Sequence, residues 1–384
     1  MPSTTNALLV GTRKGAFVLR PRGGGFEPSA PIELGTQVND FQQDPRDGAR
    51  FVHTSGGGHF GPTVRHSDDG GATWCEATRP PAFHPLARPT DTPRADGTTR
   101  GLSVKRNFWL TPGHTSEPLT WYLGTAPQGL FRSADGGATW EGVDGFNLNP
   151  AHARWTSDSD VPDGPYLHSV IVDRRDPRHL WISMSTGGTF ESDDAGASWR
   201  PVNAGVVAEF LPEKYPEYGQ DPHCAIQHPA DPDLLYQQNH CGVYRLDLRR
   251  GRTWTRIGDN LPREVGDIGF GIAGHPTRAG TVWVVPMDGT RIWPRTSPGG
   301  RPALYRTDDH GATWRRQDDG LPRENAWLTV KRQALCTLGA PEAPAVCFGT
   351  TSGEVWLGRD GGEHFECVAR HLPEVLSLRA AWLV

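Results

Sequence analysis

Residues 67–74, SDDGGATW, return in close copies at 133–140 (SADGGATW), 192–199 (SDDAGASW) and 307–314 (TDDHGATW). All four obey Ser/Thr-x-Asp-x-Gly-x-Thr/Ser-Trp, a pattern that suits a tight turn. The Ser/Thr and Asp side chains satisfy backbone amides, Gly supplies a left-handed position, and Trp packs against neighbouring structure. A repeat of this kind means that the chain is built from similar units, none of which buries its apolar faces alone. Trp254, after a looser copy, and Phe365, in GRDGGEHF, extend the series at intervals of about 51 to 66 residues, at or above the length of a propeller blade.

The unit around the third octet shows the internal grammar. An apolar run at 168–172 is followed by a turn at 176–179, a second run at 180–184, a Gly187-Gly188 turn, a short strand at 189–191, the octet, and a last strand at 200–202. Four antiparallel strands joined by short turns make one blade. The same order places blade two at 38–77, blade three at 101–143, blade five at 223–257, blade six at 267–317 and blade seven at 327–368. Ahead of blade two, 7–12, 16–20 and a stretch near Phe26 supply only three strands, and the fourth is expected from 375–382. The expectation is an all-β, seven-bladed β-propeller in one domain, 1–384. Blade one is shared between about 6–30 and 375–384, so the C-terminal strand closes the ring and leaves no open sheet edge.

Composition agrees with many short elements and tight turns: 47 Gly and 34 Pro stand against three Met. The formal net charge of -5, without a basic block, gives no footprint for nucleic acid. No run approaches 18 apolar residues, and MPSTTNALLVGTRKG lacks the charged start and long apolar stretch of a secretory leader, so no membrane partner and a cytoplasmic location are expected. The six cysteines are scattered without a CxxC pair, in keeping with free thiols in a reducing compartment.

The octets, together with Asp221-Pro222-His223-Cys224, Gln238-Asn239-His240-Cys241-Gly242 and the stretch 349–354, resemble the Asp-box (BNR) repeat propellers of the sialidase-like superfamily. The bacterial BNR-repeat proteins described as glycosyl-hydrolase-like are the nearest in pattern. The resemblance implies a hydrolase-like activity and places the octets between third and fourth strands, away from the active face. Asp69, Asp135, Asp194 and Asp309 are then turn residues rather than catalytic acids. Sialidases also carry three carboxylate-binding arginines, a Tyr–Glu nucleophile pair, an Asp acid/base and an Arg-Ile-Pro motif. Here Arg13 sits in VGTRKG with no Ile-Pro after it, so sialidase activity itself is not expected.

Function is expected at the opposite end of the strands, where second-to-third strand turns meet the entries of first strands. His59, His168, His223 and His240 fall there, and two chemistries remain open for them besides hydrogen bonding to loop backbone. One is a divalent transition metal held by imidazoles with a position left for water. The other is general acid–base catalysis by His223, His240 or His168 together with Asp267, Asp288 or Glu209. Arg291, Arg295 and Arg332 are candidates to hold an anion, Trp293 to stack on a sugar face, and Tyr215 and Tyr166 to line the ligand. A small polar molecule or carbohydrate is the expected partner, with a protein-binding scaffold as the alternative. His179, His228 and His275 fall in the far turns and read as turn structure, and regular pairing makes Cys224 and Cys241 packing residues.

Overall fold

A computed structural model describes residues 5–57, 61–85, 102–156, 165–288 and 295–383. These residues form seven four-stranded antiparallel sheets, the blades of a seven-bladed β-propeller. The chain divides into two compact units.

The first unit comprises 1–42, 203–216 and 222–384. Its blade one pairs Val375–Leu383 with Thr5–Thr12, then Gly15–Arg22 and Gly25–Pro28. The C-terminal strand is thus the innermost strand of the N-terminal sheet, in a register that sets Val10 opposite Leu378 and Leu8 opposite Ala380. Blade five consists of Pro222–Gln227, Leu234–Asn239, Gly242–Asp247 and Thr255–Arg256. Blade six consists of Gly269–Gly274, Val282–Pro286, Leu304–Thr307 and Arg315–Gln317. Blade seven consists of Leu335–Leu338, Ala345–Gly349, Val355–Gly358 and His364–Ala369. Leu8, Val10, Trp283, Phe348, Trp356, Phe365 and Leu378 are among the side chains of its apolar core.

The second unit, 43–202 and 217–221, carries the sheets of blades two to four, blade two beginning in Phe41–Gln43. The rest of blade two is Phe51–Ser55, Thr63–Ser67 and Cys75–Glu76. Blade three is Arg106–Pro112, Trp121–Ala126, Leu130–Ser133 and Glu141–Gly142. Blade four is Leu167–Val172, Leu180–Met184, Gly188–Ser192 and Arg200–Pro201. A core of its own forms around Val52, Leu110, Trp121, Leu123, Phe131 and Trp140.

Each octet joins a third strand to a fourth, and the four are built alike. The Ser/Thr hydroxyl donates to the Asp carboxylate at 2.7–2.8 Å and accepts from the Gly amide at 2.8–2.9 Å. The carboxylate then takes the backbone N–H of the following Thr/Ser at 2.8–2.9 Å and its hydroxyl at 2.6 Å. That Gly has φ between 88° and 100° in Gly71, Gly137, Gly196 and Gly311, a region costly for a residue with a Cβ. These bonds, Thr73's hydroxyl first, hold the Asp69 carboxyl down at about 2, and Thr313 does the same for Asp309. A carboxylate that accepts so many donors is committed to the turn and is not available as an acid. Blade five departs from the pattern: Asp247 instead caps a short 3-10 turn, accepting from the Arg249 amide at 3.2 Å.

Candidate functional site

In the first unit, the end of the sheets opposite the octets gathers His223, His240, Phe270, Lys331 and Arg332. His223 opens the first strand of blade five, where Pro222 pairs with Asn239 but Cys224 pairs with Gln238, so His223 is an extra, bulged residue. A bulge re-aims a side chain that regular alternation would send elsewhere. Blade six repeats the device: Gly269 pairs with Pro286 and Ile272 with Val284, which places Phe270 in a bulge too.

The bulge brings the His223 ring against blade six. Its Nδ1 lies 2.5 Å from the Gly269 carbonyl oxygen, and its ring centroid 4.9 Å from that of Phe270. A carbonyl only accepts, so Nδ1 carries the proton and donates. Gly269 is needed for this approach, since a Cβ there would stand 2.7 Å from the Val285 carbonyl oxygen. His240 lies in the tight turn between the second and third strands of blade five, its ring 5.7 Å from His223 and nearly perpendicular to it. His223 is buried, whereas His240 is partly open to solvent.

Positive charge comes from the entry to blade seven. The Arg332 guanidinium stands over the Phe270 ring at 5.2 Å and the Lys331 ammonium at 6.0 Å. The segment 206–216 leans on the same turn: Phe210 meets His240 edge-on at 5.5 Å, and the Glu209 amide donates to Cys241 Sγ at 3.4 Å. Phe210 and Tyr215 expose much of their rings.

The candidate carboxylates take distinct places. Asp267 is held by Arg256, which donates to its two oxygens at 3.0 and 3.1 Å, and its side chain lies so close to Gly242 that a Cβ there would fall 2.7 Å from it. Glu209 reaches the same Arg256 at 3.7 Å. Burial opposes the Arg256 charge, but Asp267 outweighs it and raises the guanidinium above its ordinary value. Asp288 is engaged through its backbone, its amide donating to the Thr296 carbonyl at 2.6 Å, and the Arg295 carbonyl accepts from the Thr329 hydroxyl.

His168 and Tyr166 belong to the second unit. His168 is fully buried, with Nδ1 2.9 Å from Ser169 Oγ, and Tyr166 stacks on Phe108 at 4.0 Å while its hydroxyl meets Arg106. His59, Arg291 and Trp293 lie outside the described residues. Phe270 and Gly269 carry no polar side chain by which sequence could mark them. The one sequence signal for them is a Gly at the first strand's entry, GFG, which a bulge and a close approach would both favour.

A second cluster, His179, Glu191 and Asp193, lies in the second unit with ligand atoms close enough to share an ion. There Arg200 already donates to Glu191 at 2.8 Å and contacts Asp193 at 2.6 Å, and Asp173 meets His179 Nδ1 at 3.1 Å. Burial works against the imidazolium, yet Glu191, Asp173 and Asp193 together raise the His179 pKa. The donors are thus neutralised by protein cations, and the cluster is an ion network rather than an open metal centre. Turn roles also account for His228, whose Nδ1 accepts the Ala230 amide at 3.1 Å, and for His275, whose Nδ1 accepts the Thr277 amide at 3.1 Å.

Among the described residues, no helix is long and apolar enough to cross a membrane. No family model matches the chain. It is 24% identical over 310 residues to a xyloglucanase of Paenibacillus sp., a match covering 75% of this chain but only 26% of that protein, so the chain spans about a quarter of its relative's length. The structure is similar to that of a GH74 xyloglucanase from Xanthomonas campestris, with TM-score 0.63, 18% identity, and coverage of 96% of this chain and 53% of that one. It is similar also to a periplasmic gluconolactonase from Pseudomonas aeruginosa, with TM-score 0.56, 13% identity and coverage of 99% of each chain. At these identities the solved structures speak for the fold alone: this chain is a seven-bladed β-propeller similar in sequence to part of a xyloglucanase.

Proposed function

We propose that this chain is a hydrolase-like propeller of Asp-box type that acts on a small, anionic, sugar-like molecule bound over His223 and His240. The observation that carries the reading is the His223–Gly269 bond. A ring oriented by a donated Nδ1–H, beside a more open second imidazole, is an arrangement that suits a general base. Lys331 and Arg332 supply attraction for a carboxylate or phosphate, and Phe270, stacked under them, keeps the floor of the site dry. Asp267 and Glu209, tied to Arg256, hold the His240 turn and the 206–216 segment in place. The sequence likeness to a xyloglucanase supports a carbohydrate-derived substrate.

The two imidazoles also suit a divalent transition metal, because a ligating histidine ordinarily donates its other ring N–H to a carbonyl, as His223 does. Bound there, such an ion would supply an activated water. The decisive experiment pairs a turnover screen over aryl glycosides, sugar lactones and sugar phosphates with elemental analysis of untagged protein. Turnover that falls more than about a hundredfold in His223→Ala/His240→Ala is expected. Equal turnover in the double variant overturns the catalytic reading, and less than about a tenth of an equivalent of transition metal removes the metal from it while leaving the base in place.

A protein-binding role is favoured by one observation, the exposure of Phe210 and Tyr215 on the segment beside the site. Partner binding lost in Phe210→Ser/Tyr215→Ser, without any turnover in the screen, would establish it.

A further inference from the structure

Blade seven holds two cysteines directly opposite each other. Cys336, in the innermost strand, pairs across the ladder with Cys347 in the second strand. Two residues along, the Gly349 amide donates to the Ala334 carbonyl at 2.9 Å, so by the alternation of an antiparallel ladder Cys336 and Cys347 also form a hydrogen-bonded pair. The Cα atoms of such a pair stand about 5.5 Å apart, within the range a disulfide spans without backbone movement. Side chains directly opposite lie on the same face of the sheet, so both sulfurs point the same way. All six cysteines are free thiols, and these two are the ones brought face to face in a strand pairing.

Their surroundings differ usefully. Cys347 is fully buried, and that burial, with a hydrogen bond that its thiol donates to Cys336, pushes the thiol well above the ordinary value. Cys336 is partly exposed, and so is the one that a small oxidant reaches first.

We infer that Cys336 and Cys347 form a reversible redox site, closed to an intrachain disulfide by hydroperoxides. The Cys336 thiolate attacks the peroxide, forming an S–O bond as the O–O bond breaks, and the displaced oxygen leaves as water or alcohol after taking up a proton. Cys347 sulfur then attacks the sulfenic sulfur; the S–S bond forms, the S–O bond breaks, and the hydroxyl leaves as water with the Cys347 proton. Two electrons pass from the thiols to the peroxide, and a dithiol returns them. The bond would tie the first strand to the second across the turn that follows Leu338. Leu338, Gly339, Ala343 and Ala345 of that closed loop form one wall of a cavity of about 470 Å³, whose other wall includes Arg22 and Phe26 of blade one. Oxidation therefore stiffens one side of a ligand-sized space that shares no lining residue with the histidine site.

The test uses the reduced full-length chain, treated with a few equivalents of hydrogen peroxide, blocked with N-ethylmaleimide and digested without reductant. The expected result is a linked peptide joining Cys336 to Cys347, loss of both of their thiols, and recovery of the pair with dithiothreitol. Cys336→Ser should leave Cys347 reduced under the same treatment, while exposed Cys75 reports whether oxidant was effective. Six intact thiols with Cys75 oxidised in a parallel higher dose, a disulfide joining any other pair, or over-oxidation of Cys336 without the link would overturn the inference. Because the wild-type map decides alone, a variant that fails to fold does not rescue it.

Discussion

His223 Nδ1 lies 2.5 Å from the carbonyl oxygen of Gly269, a contact between first strands of adjacent blades. It defines which ring nitrogen carries the donated proton. Nitrogen-15 chemical shifts of the imidazole at mildly alkaline pH should show the Nδ1–H tautomer. Gly269→Ala, which forces a Cβ against Val285, should abolish that preference and reduce turnover while the far-ultraviolet spectrum stays unchanged. An Nε2–H ring in the wild type would remove the basis for His223 as base.

Arg332 and Lys331 are predicted to act on binding more than on chemistry. Arg332→Gln should raise KM for an anionic substrate by about tenfold or more with a smaller change in kcat, and the corresponding effect of Lys331→Gln should shrink as ionic strength rises, because Lys331 is partly open to screening. A drop confined to kcat would contradict this division of labour.

Arg379 of the closing strand donates to both oxygens of Asp40 at 3.0 and 3.1 Å, and the Asp40 side chain is fully buried. Asp40→Asn leaves the guanidinium without its counter-charge and should cost about 3–5 kcal/mol in urea unfolding. Asp40→Asn/Arg379→Met should recover part of that loss. Equal destabilisation by the single and double variants would show that packing, not charge pairing, dominates.

The octet tryptophans should differ in weight. Trp140 is 2% exposed and donates from its indole nitrogen to the Gly137 carbonyl at 3.0 Å, while Trp74 is only half-buried beside His53. Trp140→Ala is expected to cost about 3–5 kcal/mol and Trp74→Ala distinctly less, measured by thermal or chemical unfolding. Neither change should alter ligand affinity at the histidine site.

His179 should make stability depend on pH. Its folded pKa is raised above the ordinary value near 6.5, so its contribution is complete below about pH 6.5 and fades as pH climbs through the folded value. The gap in melting temperature between wild type and His179→Gln should therefore be widest near pH 5.5 and narrow toward pH 9. A gap that widened with pH would reverse the sign of the coupling.

Much of the fold was legible because its signals are local. Each octet closes its own hydrogen bonds within eight residues, so the motif read from sequence already contains the hairpin it makes, and counting the motifs and the strands between them counts the blades. The C-terminal strand was legible for a related reason: three strands at one end and one at the other leave a single way to complete blade one. The candidate site was legible only as a set of residue types at one end of the sheets. Regular alternation would have sent His223 and Cys224 to opposite sides of blade five, and the bulge between Pro222 and Cys224 breaks that alternation.

What the amino-acid sequence determined by itself is therefore the repeat: an all-β chain, seven four-stranded units, and octet carboxylates spent on turns. Tertiary structure alone decided which nitrogen of His223 donates, because its partner, Gly269, is 46 residues away, and decided that Arg379 meets Asp40 across 339 residues. It also placed Phe270 beneath two cations and set Cys336 opposite Cys347. Turn chemistry is written in neighbouring residues, but a site assembled from several blades depends on bulges and strand register, and these are settled only when the sheets pack.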